Sequence, residues 1–488
     1  MSASDHAIEP LTPRQRWIVV GIALAVGATR FLALSHSMWD LDEALFASAL
    51  QHYDVAQHHP HPPGFPLFVV MAKVVRLVIP DDFHALRAVS LLASLFVFPA
   101  MFALARSLRF RFRTSVIASL LFSFLPNVWY WGGTAFSDEL ALVTSLAAAA
   151  FLLRGGRRSY AVGCLFFAAT MLVRAQNVLL LWPWIVASWR RLRERRIAEV
   201  VTGTALIAAL VLTGYGIAAK VTGFPEFVAA TKGHQHYVAT VDGALNPRRI
   251  PMMNLLHDFL FDPFESRAAS TAMFLFALLS FARPRRAHID ILLTFLPNFL
   301  LSWFLLSPSG ISRLSLGYIA LDVLLAADGL DVAATFIASR VPVISRERLA
   351  ATVQAALAAI IIGRYVVWVW PGLHEVRSTD SPPVQAMLWI RQNVPQGTTV
   401  YLNGGMEAFG AYSLAGYKIV TIESESGPKK LAGYVAVDHL ASSRNAVNFQ
   451  RPHRRLWALF NRRYFEASVT PVKTVPAAPA AQSAGAAR

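Results

Sequence analysis

The chain has 488 residues, 55% of them hydrophobic and only 15% charged, and its mean hydropathy is +0.46. A soluble protein of this length carries more charge, so the composition points to a polytopic helical membrane protein. The net charge of +16 does not mark a nucleic-acid partner, because the arginines gather in short loops between apolar runs, where orientation signals belong. The single cysteine, Cys164, lies inside an apolar run, which leaves no disulfide framework and no cysteine-based metal site.

In chain order, the apolar runs predict about eleven spans, near residues 17–35, 85–105, 114–131, 138–153, 159–173, 177–189, 198–219, 268–282, 288–306, 313–334 and 349–370. The first is too long for a signal-peptide core and lacks a small-residue cleavage site, so it reads as a retained span. Five loops carry arginines: Arg106/Arg109/Arg111/Arg113, Arg154/Arg157/Arg158, Arg190/Arg191/Arg193/Arg195/Arg196, Arg283/Arg285/Arg286 and Arg340/Arg346/Arg348. All five fall on one side of that count, which predicts a cytoplasmic N-terminus and an outer C-terminus. Residues 1–371 then form a transmembrane domain with outer loops at 36–84 and 221–267. Within the first loop, residues 64–79 are apolar but short and are interrupted by Lys73 and Arg76, as in a helix lying in the interface. The second is too long and too polar for a mere connection. From residue 381 the composition becomes that of a soluble unit, with helices at 383–393 and 406–414 and strands at 398–402, 418–422 and 434–437. This predicts a small α/β domain over 372–472 on the outer side. The Pro/Ala-rich tail, 473–488, is predicted to be disordered.

The ionisable residues concentrate where the first span ends. Asp40, Asp42 and Glu43 are followed by His52, Asp54, His58, His59 and His61, many charges for a loop beside lipid. Asp40-x-x-Glu43 fits a capping box that opens a helix from Leu41 to about His52. That reading covers Asp40 and Glu43 and leaves Asp42 unexplained. Ser137-Asp138-Glu139 can likewise be a cap with acidic first-turn residues. The histidines have metal-ligand types but irregular spacing, and a polar loop is the plainer reading. Arg87, Arg174, Lys232, Arg248 and Arg313 sit near outer ends of spans, where an arginine is often an interfacial anchor. Arg174 and Arg313 lie opposite the side predicted to be positive, which favours anion binding for those two.

The order of these motifs resembles the GT-C superfamily of polyprenyl-phosphate-sugar glycosyltransferases, which contains bacterial aminoarabinose transferases and protein O-mannosyltransferases. The matching residues are Asp42-Glu43 after the first span, His61-Pro62-Pro63 before the interfacial helix and Arg87 opening the second span. Ser137-Asp138 opens the fourth, Arg313-Leu314 leads into Ala326-Ala327-Asp328-Gly329-Leu330, and Trp389 to Gly397 resembles the entry to an outer α/β domain. Leu314 stands where relatives often have an aromatic residue, and Arg174 where they often have lysine. The resemblance implies a multi-pass protein of a bacterial inner membrane that moves a sugar from a polyprenyl-phosphate donor to a glycan, lipid or protein hydroxyl, with inversion. A phosphate leaves as an anion without protonation, so one general base and several cations suffice, unlike glycoside hydrolysis. Asp42 is the expected base, with Asp40 and Glu43 beside it and Asp138 supporting the acceptor or a divalent ion (Mg or Mn, held by Asp42 and Asp138). Arg174, Arg313, Lys73, Lys232 and Arg248 are expected around the phosphate, with His61, Arg87, His234 and His236 lining the substrate site. A transporter or lipid flippase is the rival class, but no internal repeat is apparent.

Overall fold

The computed structural model describes residues 10–175, 181–306, 311–342, 345–422, 433–451 and 465–472; the expected tail at 473–488 lies outside them. Helix α1 (Pro13–Arg30) opens on a capping box in which Thr12 accepts from the Gln15 N–H, and α2 (Leu41–Gln51) and α3 (Pro66–Arg76) follow it. Next come α4 (Asp82–Ser94), α5 (Val97–Ser107), α6 (Phe112–Ser123) and α7 (Pro126–Trp131). The expected span at 85–105 lies within one helical stretch, Asp82–Ser107, that bends at residues 95–96, whereas the one at 114–131 is broken before Pro126. Pro99 and Pro126 have no N–H to return to Leu95 and Phe122, and the helix stops short of each proline's turn.

Helices α8 (Asp138–Arg154) and α9 (Arg157–Val173) are joined by two positive-φ glycines, Gly155 and Gly156. They are followed by α10 (Trp182–Arg193) and α11 (Ile197–Thr222). The expected loop at 221–267 is largely helical, as α12 (Phe224–Thr240) and α13 (Met252–Phe261). The chain then runs through α14 (Arg267–Ser280), α15 (Arg286–Leu305), α16 (Ile311–Ser315), α17 (Ala320–Ser339) and α18 (Arg346–Ser378). The last continues past Pro371, so the expected boundary at 371/372 falls inside a helix. Among the described residues, five helical stretches are long and apolar enough to cross a membrane: Pro13–Ala33, Asp82–Ser107, Ile197–Thr222, Arg286–Leu305 and Arg346–Asn393. Phe112–Ser123 and Arg267–Ser280 are apolar but shorter, and α17 carries Asp322, Asp328 and Asp331. The chain is a multi-pass membrane protein.

The arginine-rich loops meet at one end of this bundle. Arg113 pairs with Asp331 at 2.5 Å and donates to the Glu347 carbonyl at 3.5 Å. Arg285 reaches Asp328 at 2.8 Å and Asp331 at 3.8 Å, while His288 holds the other Asp328 oxygen at 2.9 Å. Arg191 donates to the Gly156 carbonyl at 3.0 Å, and Arg190 pairs with Asp290 at the start of α15. Five chain reversals on one side are thus tied together by charge-assisted bonds to carboxylates and backbone carbonyls.

Beyond α18, helix α19 (Pro382–Asn393), capped by Ser381, and α20 (Glu407–Ser413) pack beside a five-stranded sheet. Its strands are β1 (Thr399–Asn403), β2 (Lys418–Ile422), β3 (Gly433–Val437), β4 (Val447–Gln450) and β5 (Glu466–Val472), in the order β2-β1-β3-β5-β4. β1 pairs in parallel with β2 and β3, and β5 runs antiparallel between β3 and β4. Three of the strands lie where the sequence predicts them; β4 and β5 are additional. The sheet is joined to the first loop. Arg451 meets Glu375 at 2.9 Å with both side chains almost wholly buried, and its guanidinium lies 5.6 Å from the Trp39 ring centroid. His36 donates to the Val376 carbonyl, and Ser381 bonds Ser37 and Met38. The segment leading into α2 is therefore clamped by α18 and the start of α19.

Candidate functional site: a four-membered carboxylate–arginine chain

Asp40 caps α2 as its spacing predicts. Its side chain accepts from the Asp42 N–H at 3.0 Å, and Glu43 reaches back to the Asp40 N–H at 3.1 Å. Glu43 does more than close that box. It is fully buried and also accepts from Trp39 N–H at 2.5 Å and from Ala135 N–H at 2.8 Å. Three backbone donors thus fix its carboxylate between the α2 start and the loop before α8. Glu43, expected beside the base, is thereby engaged in positioning the start of α2.

Asp42, left over by the cap, projects from the first turn of α2 into a cluster drawn from four separate segments. Its Oδ2 meets Arg313 Nη1 of α16 at 2.9 Å, and its Oδ1 lies 3.7 Å from His61 Nδ1. Arg313 Nε lies 3.7 Å from Asp138 Oδ1 at the start of α8, and Asp138 Oδ2 meets Arg174 Nη1, just past α9, at 2.6 Å. Arg174 also donates to Ser137 Oγ at 3.3 Å. The result is a chain Asp42–Arg313–Asp138–Arg174 with His61 at one end. Phe65 lies under Arg174 at 5.5 Å, and Phe136 under Arg313 at 4.9 Å. His61 packs edge-on to Phe65 at 4.6 Å and lies 5.6 Å from the His234 ring.

The carboxyls flanking the start of α2 are driven in opposite directions. Burial favours the neutral form of Asp42, but the facing His61, the Arg313 guanidinium with its hydrogen bond, and Arg174 outweigh it and hold the carboxyl down to about 2. Burial pushes His61 itself down to about 3 despite Asp42. The imidazole is therefore neutral at pH 7, and the standing charges on Asp42 are the two guanidiniums. Burial and the Asp42 charge push Asp40 up to about 8, which favours its neutral form at pH 7. Burial also raises Glu43 to about 7, against its three backbone bonds. One ionised carboxylate with a neutral imidazole beside it can accept a hydroxyl proton. Each guanidinium has five donors, of which these contacts engage only some, and the rest can take an anion.

Among the described residues, Arg87, Lys73, Lys232, His236 and Arg248 make no hydrogen bond or ion pair with this chain. Arg87 donates to the Ser35 carbonyl and lies over Phe83, tying α4 to the first loop. Lys73 lies 6.0 Å from the Tyr53 ring centroid on α3. Lys232, His236 and Arg248 are exposed, and only His234 of that loop reaches His61. Asp42 and Asp138, expected to share a divalent ion, are bridged by Arg313 instead. Among the described residues no group of three His, Cys, Asp or Glu side chains could hold a metal ion. No step is assigned to a divalent ion. Phe65 and Phe136 are further parts of the site, and adjacency to Gly64 and Ser137-Asp138 is their only signal in the sequence.

This arrangement of helices, with a small sheet beside it, is a fold shared with solved structures of membrane glycosyltransferases. Among solved structures the chain is similar to ArnT from Cupriavidus metallidurans bound to undecaprenyl phosphate, at TM-score 0.60 and 13% identity over 85% of this chain and 87% of that one. It is also similar to the Archaeoglobus fulgidus oligosaccharyltransferase in the apo form, at TM-score 0.56 and 12% identity over 86% of this chain and 69% of that one. No protein-family model and no curated protein matches the sequence.

Proposed function

We propose that the chain is a membrane glycosyltransferase that moves a sugar from a polyprenyl-phosphate donor to a hydroxyl acceptor on the extracytoplasmic face. The observation that carries this is the chain Asp42–Arg313–Asp138–Arg174, which places one ionised carboxylate against two guanidiniums at the end of the bundle away from the arginine loops. The GT-C fold, shared with a structure that holds undecaprenyl phosphate, supports the same donor class.

In this reading the donor phosphate lies on the free N–H donors of Arg174 and Arg313. The acceptor hydroxyl, oriented by Asp42, attacks the anomeric carbon from the face opposite the phosphate. A new C–O bond forms as the bond to the phosphate oxygen breaks, so the anomeric configuration inverts. The hydroxyl proton passes to Asp42, and the phosphate leaves as an anion held by the arginines. A base held at about 2 is weak. An anion on Arg313 and Arg174 offsets the charges that depress it, so donor binding raises its basicity at the moment of need. An apolar groove of about 280 Å³ between α9, α10 and α11, lined by Phe167, Met171, Trp184, Ile207, Val211 and Leu212, begins one turn of α9 before Arg174. It suits part of a lipid tail. The test is incubation of purified protein with a polyprenyl-phosphate sugar. Release of polyprenyl phosphate that is lost in Asp42→Asn supports transfer, whereas lipid movement between leaflets with no cleavage would make the protein a flippase.

A further inference from the structure

We propose that a second site, a polar cleft of about 500 Å³ between the end of α2 and the helices beside the sheet, binds a neutral carbohydrate chain. The inference rests on the transferase reading only where it makes that carbohydrate the acceptor. The cleft is lined by Gln51, Asp81, Arg391, Gln396, Tyr412 and Tyr417, among others. The two tyrosines are anchored through their hydroxyls. Tyr417 donates to the Val394 carbonyl at 2.9 Å, and Tyr412 bonds Asp82. They brace the cleft wall before any ligand arrives, and a preformed, mostly polar lining loses little entropy on binding.

Around the rings stand groups of both hydrogen-bonding senses. Gln51 donates its amide to Asp82 at 2.8 Å, which leaves its carbonyl oxygen. One Asp81 oxygen takes the His84 N–H at 2.8 Å, and the other is left over. Arg391 and Gln396 are exposed, and neither has an ion pair or side-chain hydrogen bond among the described residues. Planar donors and planar acceptors around one polar cleft match the hydroxyls of a sugar chain, each of which both donates and accepts. The charges select against other ligands. A polyanion would meet Asp81 and a polycation would meet Arg391, so the uncharged polyol is the class that both accept.

The cleft is separate from the transfer site. Gln51 lies nine residues beyond Asp42 on the same helix, about 13 Å along its axis at 1.5 Å per residue and on the opposite face. A ligand touching both must be an oligosaccharide or longer, passing around α2. The cleft therefore holds a glycan whose hydroxyl-bearing end is presented to Asp42, which narrows the acceptor to a glycan rather than a small molecule.

The test uses the full chain in lipid nanodiscs with maltohexaose, mannohexaose and arabinohexaose as probes, read by saturation-transfer NMR. At least one probe should bind, with ring protons nearest the protein. Arg391→Ala and Gln396→Ala, both exposed and harmless to folding, should each weaken it about tenfold, the loss expected when a charged or amide hydrogen bond is removed. Asp42→Asn should bind the probe as the wild type does. Absence of binding by all three probes, or binding unchanged in both cleft variants, would overturn the proposal. Undecaprenyl-phosphate binding is measured in parallel. Its absence alongside intact glycan binding would sink the transferase reading and leave the cleft standing.

Discussion

Asp42 stands apart from its neighbours because the cap uses Asp40 and Glu43 and leaves it facing Arg313. Asp42→Asn keeps shape and removes basicity. A positioned base contributes about 10²–10⁴ in rate, so transfer should fall by that order while undecaprenyl-phosphate binding and the melting temperature stay put. Asp40→Asn should be mild, since Asn caps about as well as Asp. A collapse in Asp40→Asn alone would move the base two residues upstream. Arg313→Ala and Arg174→Ala should each cost about 1.5–3 kcal/mol of donor affinity, the worth of a charge-assisted bond. Unchanged donor Kd in both would return them to interfacial anchors. Arg313→Ala has a second consequence, in pH. The depressed Asp42 is ionised above about 2, so in the wild type the active form is lost only as pH falls through that region. Without Arg313 burial prevails, Asp42 titrates higher, and the acid limb of kcat/KM for the donor should move up in pH. For the same reason the wild-type acid limb on kcat, where phosphate offsets the arginines, should lie above that on kcat/KM. Coincident limbs would remove the charge-compensation step.

Helix α2 is the element on which the site turns, and Glu43 fixes it. Its carboxylate holds N–H groups of Trp39, Asp40 and Ala135. Glu43→Ala would orphan these donors at roughly 1–3 kcal/mol each, and Glu43→Gln, which keeps one acceptor oxygen, should fall between it and the wild type in thermal unfolding. Equal melting temperatures for all three would show that the clamp contributes nothing. The sequence made this element legible because a capping box is a local pattern of four residues, and Asp42 was conspicuous because that pattern did not need it. Arg174 and Arg313 were legible for a different reason, lying on the side where topology had no use for them. Lys73, Lys232, His236 and Arg248 satisfied the same sidedness and yet lie away from Asp42. Side is written in composition, whereas distance is set by packing between segments as far apart as Asp42 and Arg313, 271 residues in sequence. Strand β4 has four residues, too few to show alternation, and Pro471 in β5 argues locally against a strand. The break before Pro126 inside the expected span at 114–131 leaves no mark in hydropathy, which averages over the proline.

At the scale of the whole molecule, the question is which end of the bundle faces the cytoplasm. Arg113, Arg190, Arg191 and Arg285 are gathered at one end through Asp331, Asp290, Gly156 and Asp328. Helix α8 runs from Asp138 in the site to Arg154 among these loops, and α9 returns from Arg157 to Arg174 in the site. The cluster therefore lies at the arginine-poor end, which the positive-inside rule assigns to the outer face. The chain offers a clean way to test this, because its one cysteine, Cys164, is buried and gives little background to a thiol reagent. Lys418, exposed on β2, and Arg158, exposed in the first turn of α9, mark the two ends. Lys418→Cys should react with a membrane-impermeant maleimide in intact cells, whereas Arg158→Cys should react only after the membrane is opened. The reverse pattern would turn the molecule over, put Asp42 in the cytoplasm, and require a donor that presents its phosphate and sugar on that side.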